Sequence, residues 1–216
     1  HILQVYRADA AVVTPDDGAI FNVSERTKMI LKLENPGNGE DTFTLQGSTL
    51  AGNLSTPPNV TFEITNPVRT LGPGGISMVP VWVTVPDDVP ARENFQLVFE
   101  WASTSDNSIA SNTSITIQVR PDHRWNITVV EGTNQQVTPG QKISLSIDVV
   151  NVGNSDDLLT LTPQFDVYRE GNDSSTWNAS IINSSRLDVS ENETIQFEFD
   201  IPEDAWSGTS ANLTLE

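Results

Sequence analysis

The residues of this sequence that could do chemistry are mostly acidic and mostly paired. Doublets recur at Asp16-Asp17, Glu40-Asp41, Asp87-Asp88, Asp156-Asp157 and Glu203-Asp204. Loop carboxylates offer hard oxygen ligands, so calcium is the cation they would take. The candidates are Asp87, Asp88, Asp122, Glu203 and Asp204, and none keeps EF-hand spacing. Paired carboxylates also serve glycoside hydrolysis, but these pairs fall in turn-like stretches at matched places, which a duplicated turn explains. The two histidines, His1 and His123, permit neither a Ser–His–Asp arrangement nor a His-rich metal cluster. The sequence has no cysteine, which excludes thiolate and disulfide chemistry. Gly72-Pro73-Gly74-Gly75 lacks the Lys-Ser/Thr of a phosphate loop. The expectation is a chain without catalytic residues and without a cofactor other than calcium.

Two further sets could recognise or carry sugars. Exposed indole faces stack on carbohydrate; Trp82 falls out of phase with Val79–Val85 and Trp177 sits in a polar loop, whereas Trp101 falls in phase with Phe95, Leu97 and Phe99. Asn-x-Ser/Thr sequons occur at Asn22, Asn53, Asn59, Asn112, Asn126, Asn172, Asn178, Asn183, Asn192 and Asn212. Composition alone would yield about three or four, and sequons are read only on exported chains. An extracellular or cell-surface chain bearing N-linked glycans is expected.

The charge balance agrees. Net charge is −18 over 216 residues, with eight arginines and three lysines. A nucleic-acid partner needs a basic face, and anionic lipid needs basic clusters, so neither partner is expected. No apolar run reaches the roughly 20 residues of a membrane span.

The elements that position these residues are β-strands. Met29, Leu31 and Leu33 alternate with polar neighbours, as do Ile143, Leu145, Ile147 and Val149. Val79, Val81, Val83 and Val85 behave alike, as do Phe95, Leu97, Phe99 and Trp101, and later Ile115, Ile117 and Val119. A period of two marks half-buried antiparallel strands. Between them lie turn strings such as Asn35-Pro36-Gly37-Asn38-Gly39 and Val137-Thr138-Pro139-Gly140. The chain also contains itself nearly twice. Asn35-Pro36-Gly37-Asn38 through Leu45 returns as Asn151-Val152-Gly153-Asn154 through Leu161, 116 residues on, and Val85-Pro86-Asp87-Asp88 returns as Ile201-Pro202-Glu203-Asp204. A period this long is a domain rather than a solenoid turn. The fold class expected is all-β: two tandem immunoglobulin-like β-sandwich domains, end to end. Gly37 and Gly153 are expected to hold positive φ in their turns.

The expected boundaries are 7–120 for the first domain and 121–216 for the second. Arg120-Pro121-Asp122-His123-Arg124 makes a short, stiff linker between them. Upstream of the motif the shift is 114, which puts Leu3-Gln4-Val5 on Ile117-Gln118-Val119. Residues 1–6 therefore read as the closing strand of a preceding unit, or as a donor strand. The second unit is expected to lack its last strand or strands.

Pro139-Gly140 before a long strand, Asn151-Val152-Gly153-Asn154, Ile201-Pro202-Glu203-Asp204 and Trp206-Ser207-Gly208 resemble the turns of CARDB-type and NPCBM-associated Ig-like repeats of archaeal and bacterial cell-surface proteins. The first unit departs at Ser24-Glu25, where Pro-Gly would stand. The resemblance implies a non-catalytic structural module: a stalk, an S-layer-like or adhesin-like array, or an accessory module beside a secreted hydrolase. The acidity and sequon load suggest an archaeal source. Partners would be neighbouring copies, flanking domains of the same chain and N-linked glycans. Two alternatives stand beside the surface array. One is an extracellular filament assembled head to tail by donor-strand complementation; the other is a carbohydrate-binding accessory module.

Overall fold

The computed structural model describes residues 9–13, 19–130, 134–168 and 177–216. These form strands and turns, with no helix among them. The chain divides into two compact units between Asp122 and His123. Residues 1–6, Asp16-Asp17 and Asn172 lie outside the described residues.

In the first unit, one sheet runs in the order β1 (Asp9–Val13), β3 (Arg26–Glu34), β7 (Ile76–Thr84) and β5 (Thr61–Ile64). The other runs β2 (Ala19–Phe21), β9 (Ala110–Val119), β8 (Asn94–Ser103), β4 (Asp41–Leu50) and β6 (Val68–Leu71). Every pairing is antiparallel except β2 on β9. The inward rows are those the alternation predicts. Met29, Leu31, Leu33, Val79, Val81 and Val83 from one sheet meet Phe43, Leu45, Phe95, Leu97, Phe99, Trp101, Ile117 and Val119 from the other in a single core. Two sheets closing on one core make this unit a β-sandwich.

In the second unit, β10 (Trp125–Val129), β11 (Lys142–Asn151) and β15 (Asn192–Asp200) form one antiparallel sheet. Opposite lie two strand pairs, β12 (Asp157–Leu161) with β14 (Ile182–Leu187), and β13 (Pro163–Tyr168) with β16 (Ser210–Leu215). The shift of 116 maps β3 onto β11, β7 onto β15, β6 onto β14 and β8 onto β16. The shift of 114 expected upstream of the motif is overturned: Arg26 opposite Thr84 matches Lys142 opposite Asp200, so the register of 116 already holds in β3, where the polar faces of both strands had allowed a slip of two residues. The long β4 of the first unit is split into β12 and β13 in the second. Pro163 stands at the break, at the place of Gly47, and a proline without an N–H is tolerated as the first residue of a strand.

One turn expectation is overturned. Positive φ falls at Gly52, Gly74, Gly140 and Gly208, and not at Gly37 or Gly153. The Asn35 side chain does the work instead: its Oδ1 accepts the Gly37 N–H at 3.0 Å, closing an Asx turn that needs no left-handed residue. Asn151 Oδ1 accepts the Gly153 N–H at the same distance. Both glycines are buried.

Candidate functional site

Three places hold side chains that could act on a partner: the acidic turns, the aromatic residues outside the core, and the exposed asparagines. The first is built on the repeat itself. Asp41 and Asp157 open β4 and β12 and each holds the next backbone N–H, at 2.8 Å from Thr42 and 2.7 Å from Leu158. Their remaining contacts differ. Asp41 Oδ1 also accepts from the hydroxyls of Ser103 and Ser105, at 3.1 and 3.2 Å, while its buried Oδ2 has no hydrogen-bond partner. Asp157 Oδ2 lies 2.6 Å from His123 Nδ1, and the Val152 N–H donates to the Arg124 carbonyl. His123 and Arg124 are thereby tied to the second unit.

The neighbouring Asp156 is exposed. A hydrogen bond and the charge of Arg186, whose Nη1 stands 2.6 Å from Oδ2, hold its carboxyl below the usual range. Asp106 is also lowered, by the Ser108 hydroxyl and N–H.

The proposed calcium ligands are placed as turn residues. Asp87, Asp88, Glu203 and Asp204 are exposed in the matched turns that follow β7 and β15, and Asp122 is half-buried. Among the described residues no three His, Asp or Glu side chains stand close enough to share a cation.

Of the aromatic candidates, Trp101 is fully buried, as its phase predicts. Trp82 faces outward from β7, but its ring face is already taken. The Arg26 guanidinium lies 4.1 Å from the ring centroid and Lys28 Nζ 5.8 Å, and Arg26 is itself held by Glu63. Trp177 packs against Phe165 at 5.8 Å, and Phe165 in turn against Phe199 at 5.2 Å. The most open indole is one that phase did not select, Trp206, at 64% exposure in the turn before β16. Its signal in the sequence was the Pro-acidic turn that places it outside any strand.

All nine described sequon asparagines are exposed. The three buried ones, Asn35, Asn151 and Asn154, belong to no sequon. Some exposed amides are engaged on the surface: Asn53 Oδ1 accepts the Asn94 N–H at 2.7 Å, Asn183 Oδ1 accepts the Thr160 hydroxyl at 2.9 Å, and Asn22 Nδ2 donates to Glu25.

Comparison with known proteins adds little. No protein-family model and no curated protein matches the sequence. Solved structures with some likeness include the chaperone YadV, at 14% identity over 96% of this chain and 92% of that one, with a TM-score of 0.34. The Salmonella enterica SafA pilin in complex with the SafB chaperone gives 15% identity over 100% and 99%, with a TM-score of 0.36. The secreted serine protease VesC from Vibrio cholerae gives 12% over 99% of this chain and 50% of that one, with a TM-score of 0.34. Likenesses of this size carry neither partner nor activity over to this chain.

Proposed function

We propose that this chain is a non-catalytic structural segment of an exported, N-glycosylated cell-surface protein, built of tandem immunoglobulin-like sandwiches of the CARDB type. The observation that carries this reading is what the two units share. The buried Asn35 and Asn151 make the same three hydrogen bonds, two from Nδ2 to the carbonyls of Gly39 and Leu71 or of Ser155 and Leu187, and one from Oδ1 to a glycine N–H. The surface chemistry is not shared. Trp82 is matched by Glu198, and Lys28 by Ser144, so the cation-bearing ring of the first unit has no copy in the second. Duplication has kept the frame and let the decoration drift, which suits a module whose work is to space and to assemble.

The exposed sequons support the surface location, since a bulky glycan can be carried only where the asparagine faces water. The test is limited proteolysis of intact producing cells, with glycopeptide mass spectrometry of the released fragments. Release of fragments glycosylated at several of the nine exposed asparagines is the expected result. A chain protected until lysis, with unmodified sequons, removes the reading.

A further inference from the structure

The outer face of the three-stranded sheet in the second unit carries two sequons side by side. Directly opposite residues of an antiparallel pair share a face. Asn126 of β10 and Asn192 of β15 both stand opposite Val150 of β11, one on each side. Two residues along, Thr128 and Thr194 both stand opposite Asp148. Asn126-Ile127-Thr128 and Asn192-Glu193-Thr194 therefore run in the same direction and in one register, with β11 between them. Neighbouring strands lie about 4.8 Å apart, so the two acceptor asparagines are about 10 Å from each other. The row between, centred on Val149, points into the core. Asn126, Thr128, Asp148, Asn192 and Thr194 are exposed, and Val150 is half-buried.

What lies between the acceptors suits a sugar. A pyranose ring has an apolar face of C–H groups and a rim of hydroxyls. Val150 is the one apolar residue of the two outer rows, and the Asp148 carboxylate accepts the Thr194 hydroxyl at 2.6 Å. A hollow of about 200 Å³ is lined by Asp148, Val150, Asn192, Glu193 and Thr194. One wall of it is an acceptor asparagine, so a sugar joined to Asn192 begins at the hollow. At the matched places the first unit has Lys32, Glu34, Ile76 and Met78, and neither β3 nor β7 contains a sequon.

We infer that Asn126 and Asn192 form a paired glycan site: both carry N-linked sugars in one molecule, and the first sugar on Asn192 is seated over Val150, beside Asp148. At each acceptor, Nδ2 forms a bond to C1 of a sugar supplied as a glycosyl phosphate. The C1–O bond breaks, its electron pair leaves with the phosphate, and the displaced amide proton passes to solvent. The inference rests on the exported, N-glycosylated reading and names the place where sugar and protein meet. Glycans on stems this close touch each other, so their effects on the second unit are coupled.

The test compares the chain purified from producing cells with Asn126→Gln, Asn192→Gln and the double variant, made in the same cells. Intact mass is expected to fall by one glycan in each single variant and by two in the double variant. Hydrogen exchange at the Ile147 and Val149 amides of β11 is expected to quicken by about fivefold or more when both sugars are lost, and by less than the product of the two single effects. Val150→Thr keeps the side-chain shape and removes the apolar contact. Its glycan mass is expected to be unchanged, while loss of the Asn192 sugar quickens exchange less in it than in the native chain. The Leu31 and Leu33 amides of β3 are the control for an intact first unit. An unmodified Asn126 or Asn192 beside modified Asn53 or Asn59 would overturn the pair and leave the surface reading standing. A chain with no modified sequon would remove both. Masses that show one sugar or the other but never both would also overturn the pair, and exchange indifferent to the sugars would overturn the seat over Val150.

Discussion

Ser24 and Gly140 stand 116 residues apart and hold the same left-handed backbone, at φ of 57° and 73°. Each donates its N–H to the matched carbonyl of the facing strand end, Val85 at 2.8 Å and Ile201 at 3.1 Å. The correspondence continues at Gly74 and Ser190, both at φ 67°, and at Arg92 and Gly208, at 66° and 88°. Gly74 and Ser190 donate to the carbonyls of Asn35 and Asn151, at 2.7 and 2.8 Å. In the first two pairs the same hydrogen bond between strand ends holds the turn, so the conformation persists where glycine stands in one unit and serine in the other.

Ser190 consequently carries a torsional cost that Gly74 does not. A left-handed residue with a Cβ costs about 1–2 kcal/mol, offset in part by the roughly 0.5–1 kcal/mol of extra chain entropy that glycine loses on folding. Nothing lies within 4 Å of a Cβ built on Gly74, so the cost of a side chain there is torsional rather than steric. Ser190→Gly is expected to stabilise the second unit by about 0.5–1 kcal/mol, and Gly74→Ser to destabilise the first by a similar amount. Urea midpoints measure both, and a neutral or destabilising Ser190→Gly would refute the strain.

Gly52 is a different case, because space and torsion act together. Its φ is +62°, and an added Cβ would run into the Asn94 carbonyl oxygen and reach 2.8 Å from Phe95 Cα, both backbone atoms of β8. Backbone in a paired strand cannot step aside cheaply. Gly52→Ala is expected to cost more than about 2 kcal/mol, beyond what torsion alone imposes. A cost below about 1 kcal/mol in thermal unfolding would show that the turn relaxes.

Asn151 ties the turn before β12 to the end of β14 from a fully buried position. Asn151→Ala strands the Ser155 and Leu187 carbonyls and the Gly153 N–H, and an unsatisfied buried group costs about 1–3 kcal/mol. A loss of about 3 kcal/mol is expected in the second unit, with Asn35→Ala equivalent in the first. Retention of the wild-type midpoint in either variant would mean that water replaces the amide.

The strands of the first unit's core were legible because burial imposes a period of two on them, and the core rows from Met29 to Val119 follow it. The repeat was legible because turns constrain residue type. What was not legible was which atom fixes a turn. Asn35-Pro36-Gly37 suggests a left-handed glycine, yet the asparagine side chain closes the loop, and a conformation set by a side-chain acceptor leaves no distinct mark on the glycine. Trp82 illustrates a second limit. Its outward phase was readable, but the Arg26 guanidinium that covers its ring approaches from another strand, through a register that sequence alone does not specify.

The pair Asp156–Arg186 gives a pH dependence with a definite sign. Arg186 holds the Asp156 carboxyl below its ordinary value, first through the hydrogen bond and then through charge. A group depressed in the folded state stabilises above its unfolded pKa, and that contribution is lost as pH falls through the folded value, here below about pH 4. Arg186→Gln is expected to move the Asp156 titration upward, toward the ordinary carboxylate range, in a carboxyl NMR titration. An unmoved midpoint would show that the ion pair is screened away at this exposed site.

The two units should also differ in how readily they open. Both cores rest on one long central strand, β3 or β11, flanked by a second, β7 or β15. The row on β7 is fully buried, whereas Ile195, Phe197 and Phe199 on β15 remain half-exposed. Each Å² of apolar surface left in water forgoes about 25 cal/mol, so three large side chains in that state weaken the second unit measurably. In the 216-residue chain under conditions where it is monomeric, the β11 amides of Leu145 and Ile147 are expected to exchange through a lower-energy opening than those of Leu31 and Leu33 in β3. The first unit then unfolds last on heating, as a separate transition. A single cooperative transition, or slower exchange in β11 than in β3, would mean that the exposed row on β15 costs the second unit nothing.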